Sequence, residues 1–261
     1  YGGTWNLFAN TLKQFGIEAR FVDPADPEAF VRATDDKTRC WYAETLPNPK
    51  LRAFPITEVA ALAEQAGVPL IMDNTACPVL CRPIEHGAHI VVYSTTKFIG
   101  GHGTTIGGMI VDSGKFDWEK HAARFPLLTQ PDASYHGLRY VEAFGAAALA
   151  AKARTQLLRD MGACLSPFNA FLLLLGVETL PLRMQRHSEN GMAVAEFLSR
   201  HPMVDWVRYP GLSSHPRHAV ATRYHERGLY GAMIGFGPDG GRDAARRVVE
   251  RCRLLSHLAN I

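Results

Sequence analysis

The sequence predicts an α/β protein whose mostly parallel sheet is flanked by helices. Residues 90–93 form a short, largely β-branched run without polar alternation, which is typical of a strand buried on both faces of a parallel sheet. Residues 68–72 form a second apolar run, and helical periodicity lies before it. Helices that alternate with strands favour parallel pairing. With 261 residues and 47% hydrophobic content, the chain can bury a large core.

The first part of the chain alternates between the two periodicities. Apolar residues recur at helical spacing in three segments, and Gly67 follows the third in the position of a C-cap. Strands are indicated by apolar runs that end at turn residues. We predict helices over residues 4–15, 27–33 and 56–66, and strands over residues 17–22, 40–43, 68–72, 90–93 and 108–112.

The second part is richer in helix. A long alanine-rich segment over 134–159 predicts a tightly packed helix, and Ser166 with Pro167 has the pattern of an N-cap followed by proline at the first helical position. Further helices are predicted over 182–199 and 242–251, and strands over 206–209, 233–236 and 253–258. We place a domain boundary near Leu182. The chain would then have a large domain over 1–182 and the start of a smaller α+β domain over 183–261.

Composition excludes several classes of partner. The net charge is +3 with acids and bases interspersed, so we expect no nucleic acid. No apolar run approaches the roughly 20 residues that cross a bilayer, so we expect no membrane association. Five scattered cysteines argue against a disulfide framework and for a reducing compartment, the cytoplasm. Cys77 and Cys81 have no second pair with zinc spacing, so we interpret them as buried thiols and predict no metal.

The candidate site lies at the ends of two predicted strands. Lys97 follows the strand over 90–93, with hydroxyls at Ser94 and Thr96, and Asp73 ends the strand over 68–72. Ligands in parallel α/β sheets bind beyond the carboxyl ends of the strands. An amine that can condense with an aldehyde, a carboxylate and a phosphate-binding pair of hydroxyls match the needs of pyridoxal 5'-phosphate.

Two simpler interpretations of these residues stay open at this point. A lysine after a strand is most often a solvated surface residue. The glycines at 100, 101 and 103 can form a plain turn, and they match neither nucleotide fingerprint, because here the lysine comes before the glycines. Spacing alone therefore makes the cofactor one hypothesis among these.

Longer motifs carry a resemblance to a known family. The chain reads Asp73-Asn-Thr, then Cys81-Arg-Pro-Ile-Glu-His-Gly-Ala88, then Ser94-Thr-Thr-Lys-Phe-Ile-Gly-Gly-His-Gly103. These closely resemble the Cys/Met-metabolism family of PLP-dependent enzymes. The segments Phe125-Pro-Leu-Leu-Thr and Ser134-Tyr-His-Gly137 resemble its O-acetylhomoserine sulfhydrylase branch. The resemblance covers essentially the whole chain and implies fold type I, like that of aspartate aminotransferase.

The resemblance also implies roles for individual residues. Lys97 would be the lysine that bonds to the cofactor aldehyde, and Asp73 the partner of the pyridine nitrogen. Ser94 and Thr96 would bind the phosphate. The resemblance adds three residues: Tyr1 to stack on the ring and assist at the leaving group, Asn48 near the phenolic oxygen of the cofactor, and Asn260 at the substrate carboxylate.

Function follows from the same resemblance. It implies γ-replacement on O-acetyl-L-homoserine with sulfide or a thiol, which gives homocysteine or methionine and acetate, in a homotetramer. Elimination by a related lyase, other acyl leaving groups, and a cofactor-free binding module in which Lys97 forms a salt bridge stay open. The chain begins at Tyr1 rather than Met and ends before the family's downstream substrate-carboxylate arginine. We therefore expect both domains to be truncated.

Overall fold

The fold is built from two sheets with helices around them, as seen in a computed structural model that describes residues 1–258. Within these residues the strands are β1 Trp41–Glu44, β2 Leu70–Asp73, β3 Ile90–Ser94, β4 Gly108–Asp112, β5 Val204–Arg208 and β6 Gly235–Pro238. The helices are α1 Gly2–Asn6, α2 Pro27–Arg32, α3 Ile56–Ala66, α4 Pro126–Thr129, α5 Tyr140–Phe144, α6 Ala148–Lys152, α7 Arg159–Met161, α8 Pro167–Glu178, α9 Leu180–Arg200, α10 His218–Tyr224 and α11 Gly241–Arg251.

The main sheet has the order β1-β2-β3-β4. Strands β1, β2 and β3 are parallel, with Glu44 opposite Asp73 and Asp73 opposite Val92. Strand β4 returns antiparallel to β3, with Gly108 opposite Ser94. The prediction of a mostly parallel sheet flanked by helices is confirmed. Strands β5 and β6 form a separate antiparallel pair.

A hydrophobic cluster covers each face of the main sheet. On one face, α3 packs its fully buried Ile56, Val59 and Ala63 against alternate strand residues such as Leu70 and Met72. On the other face, the intervening strand residues meet an aromatic cluster, whose members are Phe116, Trp118, Phe125 and Tyr140. Burial on both faces explains why the strands lack polar alternation along most of their length.

Capping residues in the sequence predict several helix ends correctly. Gly67 ends α3 in the left-handed conformation, at φ 66° and ψ 36°, which glycine adopts without steric cost. The Ser166 hydroxyl accepts a hydrogen bond from the Asn169 amide at 3.1 Å, so Ser166 is the N-cap of α8 with Pro167 at its first position. The helix predicted over 4–15 is confirmed as α1 continued by one π-helical and one 3₁₀ segment to Phe15.

Three predicted elements differ in the structure. Residues 17–22 form no strand, because this exposed segment has no neighbouring strand to pair with in the part of the chain that the structure describes. The helix predicted over 134–159 is broken into short helices, with Gly145 at φ 51° and ψ −122° between two of them. Residues 253–258 are exposed and contain no strand. The predicted boundary near Leu182 falls within α9, and the division into domains stays a prediction.

Two further expectations concern the cysteines and the membrane. Cys77 and Cys81 are buried free thiols, and burial raises the pKa of Cys81 to about 12. At neutral pH such a thiol is protonated and packs as a small apolar group. Among the helices formed by residues 1–258, none combines the length and apolar character that a bilayer crossing requires.

Candidate active site

The carboxyl ends of β1, β2 and β3 lie side by side and direct polar groups to one face. Residues paired across neighbouring strands lie on the same face, so the pairings Glu44 with Asp73 and Asp73 with Val92 put both acids on the face of Val92. Ser94 follows Val92 by two positions and shares that face. Thr75 ties the two strand ends together, because its Oγ1 accepts a hydrogen bond from the Ser94 amide at 2.8 Å.

The Asp73 carboxylate is fixed through both of its oxygens. Oδ1 accepts a hydrogen bond from the Thr75 amide at 2.9 Å, and Oδ2 accepts one from the Tyr42 hydroxyl at 3.0 Å. A carboxylate has about four lone-pair sites, so it can accept further donors after these two. Asp73 is half-buried and remains able to receive a protonated ring nitrogen.

Lys97 lies in the turn that follows β3. Its amide donates to the Ser94 carbonyl at 3.3 Å, and the Gly101 amide donates to the Lys97 carbonyl at 2.8 Å. The side chain is half-buried, and its Nζ forms no hydrogen bond or ion pair with any residue from 1 to 258. The salt bridge expected of a cofactor-free binding module is therefore absent within this range. An amine that no residue of this range engages is available for covalent chemistry.

The two hydroxyls predicted to bind phosphate differ in the hydrogen bonds that they already form. The Ser94 hydroxyl has no hydrogen-bond partner in the described part of the chain, so its donor is available. The Thr96 hydroxyl accepts from the Gly107 amide at 3.0 Å and also lies 3.3 Å from the Gly107 carbonyl oxygen. Thr96 therefore joins the beginning of the turn to its end, and its predicted contact with phosphate would compete with the carbonyl.

The remaining predicted residues approach the site from β1. Tyr1 reaches the end of this strand, with its backbone nitrogen 2.7 Å from Glu44 Oε1. Burial raises the pKa of the Glu44 carboxyl. Asn48 is half-buried in the loop after β1. Asn260 lies outside the described residues. The roles assigned to all seven residues stay predictions.

Several contacts at the site were not predicted from the sequence. Tyr42 precedes Glu44 by two positions in β1 and shares its face, which the period of a strand could have indicated. Arg183 of α9 donates to the carbonyls of Phe98 at 2.7 Å, Ile99 at 3.2 Å and Gly176 at 2.7 Å. It thus fastens the turn after Lys97 to α8 and α9, which depends on packing and has no local sequence signal.

Known proteins share this architecture. A solved structure from Campylobacter jejuni that contains N'-pyridoxyl-lysine-5'-monophosphate superposes with a TM-score of 0.96 at 35% identity, covering 100% of this chain and 64% of that one. The O-acetyl-L-homoserine sulfhydrylase of Leptospira meyeri is 52% identical, and the homocysteine synthase of Schizosaccharomyces pombe is 50% identical. The matches cover all of this chain, which spans 61% of the length of each of these two relatives.

Fold and site together define an α/β enzyme of fold type I. The family model for the Cys/Met metabolism PLP-dependent enzymes matches residues 1–261, and the chain belongs to this family. The residues at the strand ends fit the cofactor of the family. Within residues 1–258, Lys97 offers an unpaired amine, Asp73 an anchored carboxylate and Ser94 a hydroxyl without a partner. Family membership argues against a cofactor-free binding module.

Proposed function

We propose that the protein, in its full length, catalyses γ-replacement on O-acetyl-L-homoserine with sulfide or a small thiol, giving homocysteine or methionine and acetate. The relatives named above support this choice of substrate. The observation that carries it is half-buried Lys97, whose amine is unengaged by residues 1–258. It lies in the turn after β3, the strand that pairs with the Asp73 end of β2. This is the arrangement that the chemistry of the family requires.

Each residue would have a distinct task. Lys97 would hold the cofactor through Nζ and, when free, move protons at Cα and Cβ of the substrate. Asp73 would keep the proton on the ring nitrogen, while Ser94 and Thr96 would bind the phosphate and Asn48 would approach the phenolic oxygen. Tyr1 would stack on the ring and assist departure of acetate. When bound, pyridoxal phosphate supplies an electron sink for negative charge that develops at carbon.

Substitution of Lys97 tests the proposed chemistry. In the full-length protein supplied with pyridoxal phosphate, O-acetylhomoserine and sulfide, we expect Lys97→Ala to reduce homocysteine formation at least about 1,000-fold, because both the covalent anchor and the proton carrier are lost. Lys115→Ala removes an exposed lysine and is the matched control, with activity near that of the parent. Homocysteine formation at the parental rate by Lys97→Ala would contradict the assignment.

The same assay separates replacement from elimination. Without sulfide or thiol, a lyase would release a keto acid and ammonia, whereas we expect little of either from this protein. Keto-acid release that is undiminished by sulfide would replace our proposal with elimination. Other acyl esters of homoserine, tested beside the acetyl ester, would define the leaving group.

We further propose that the full-length protein is a cytoplasmic homotetramer. Five free cysteines among the described residues support a reducing compartment. Exposed apolar side chains on α8 support self-association: Phe168 is 67% exposed, Phe171 54% and Leu174 63%. Exposed apolar groups clustered on one element are typical of protein interfaces. The molar mass in solution tests the assembly.

A further inference from the structure

Tyr42 connects three parts of the molecule next to the candidate site. It lies in β1, and its hydroxyl donates to Asp73 Oδ2 in β2 at 3.0 Å. The Phe8 ring packs against its ring in a T-shaped arrangement, with the centroids 4.8 Å apart and the planes at 81°. Tyr42 is half-buried between the strand ends and the helical segment that begins near Tyr1. Its ring is thereby fixed on one side and its hydroxyl on the other.

The Tyr42 hydroxyl donates a hydrogen bond to Asp73 and keeps its proton. Burial raises the pKa of Tyr42, the charge of Asp73 and the hydrogen bond to it raise it further, and Glu44 adds to this, while a contact with Thr4 opposes them only in part. The group therefore stays protonated across the pH range of an enzyme. An O–H beside a carboxylate then has one favourable orientation, toward the oxygen of Asp73.

The second carboxylate oxygen is fixed independently. Asp73 Oδ1 accepts from the Thr75 amide at 2.9 Å within the turn that follows β2. Rotation of the carboxylate about its Cβ–Cγ bond would lengthen both hydrogen bonds at once. Two donors from different elements thus hold the plane of the group.

We infer that Tyr42 is a positioning residue for Asp73, and that it strengthens the binding of a protonated pyridine nitrogen by holding the carboxylate in one orientation. The inference rests on the proposed function, which assigns this nitrogen to Asp73. Tyr42 has no role in holding the aldehyde or the phosphate. Its effect should therefore depend on the presence of the ring nitrogen.

Cofactor titrations of the full-length apoprotein test this dependence. The probes are pyridoxal phosphate and its 1-deaza analogue, in which carbon replaces the ring nitrogen. For Tyr42→Phe we expect the Kd for pyridoxal phosphate to rise about tenfold, because a hydrogen bond to a charged group is lost, and the Kd for the analogue to change by less than about twofold. Tyr224→Phe is the matched control, since the Tyr224 hydroxyl donates to the Glu58 carboxylate at 2.8 Å.

The outcomes are distinct. A tenfold effect confined to pyridoxal phosphate, with the unfolding temperature of the apoprotein and the Tyr224→Phe control unchanged, supports the inference. An equal loss for both cofactors overturns it in favour of a purely structural role, as does no loss for either. A parent protein that fails to bind pyridoxal phosphate overturns the proposed function together with this inference, whereas normal binding by the parent isolates the role of Tyr42.

Discussion

At the scale of single residues, one enclosed ion pair leads to a prediction about how the stability of the fold changes at acid pH. Lys152 Nζ lies 2.5 Å from Asp132 Oδ2, and the two side chains are only 9% and 10% exposed. Lys152 also lies over the Tyr140 ring, 4.7 Å from its centroid. The hydrogen bond from Lys152, followed by that from Ser134, lowers the pKa of Asp132 to about 2. The ionised form is therefore favoured in the folded protein.

The sign of the pH effect follows from that direction. A carboxyl with a lowered pKa in the folded state stabilises the fold above its ordinary pKa, near 4, and this contribution is lost as the pH falls toward 2. We expect Asp132→Asn to flatten the loss of stability between pH 4 and 2, measured as the urea midpoint at each pH. Asp205→Asn, at an exposed position of β5, is the control. An unchanged pH profile in Asp132→Asn would refute the prediction.

The site residues differ in how far sequence reveals them. Lys97 and Asp73 are predictable as neighbours, because each ends a recognisable apolar run and parallel strands bring such ends together. The contacts of Tyr42 with Asp73 and of Thr75 with Ser94 are not predictable in this way, since they depend on which strands pair and in what register. Arg183 depends on how two helices cross the turn, which leaves no periodic signal.

At the scale of elements, α8 lies unusually close to the turn that carries Lys97. A Cβ at Gly176 would lie 2.5 Å from the carbonyl oxygen of Ile99 and would also collide with that of Gly100. Backbone atoms cannot move aside as a flexible side chain can. The close approach therefore requires glycine at this position of the helix.

Gly176→Ala should push α8 away from the turn. We expect a loss of about 1–3 kcal/mol in the free energy of unfolding, as for other overpacked sites, together with reduced activity because the turn beyond Lys97 shifts. Gly235→Ala in β6 is the control, because an added Cβ there would find no atom nearer than 3.7 Å. Equal unfolding free energies for Gly176→Ala and the parent, from denaturant titration, would be inconsistent with this packing.

Elements are predictable where local chemistry and tertiary context agree. Helix α3 has apolar periodicity, a glycine C-cap and a buried face, and its bounds follow from the sequence. Residues 17–22 have strand composition but lie exposed without a partner strand among residues 1–258, so composition alone misleads. The alanine-rich segment has helical propensity throughout, yet Gly145 interrupts it at positive φ.

At the scale of the whole molecule, the apolar face of α8 bears on the proposed assembly. In the full-length protein we expect Phe171→Ser to lower the molar mass measured by light scattering from that of a tetramer to that of a smaller species, because apolar area would be lost from an interface. Phe197→Ser removes an exposed phenylalanine from α9 and should leave the mass unchanged. A tetramer that persists in Phe171→Ser would exclude this face from the interface.

The antiparallel return of β4 has a consequence for how the turn that carries Lys97 can vary. The amides of Thr95 and Thr96 both donate to the Gly107 carbonyl, and Thr96 Oγ1 accepts from the Gly107 amide. The segment over 97–106 therefore leaves and re-enters the sheet at a single point. Its middle residues, such as His102 and Thr104, are exposed to solvent. We therefore expect exchanges at His102 to leave the pairing of β3 with β4 intact, because the contacts that close the turn lie at residues 95, 96 and 107. Lys97 is the first residue beyond that closure, so its backbone is held where the turn begins, with its amide on the Ser94 carbonyl.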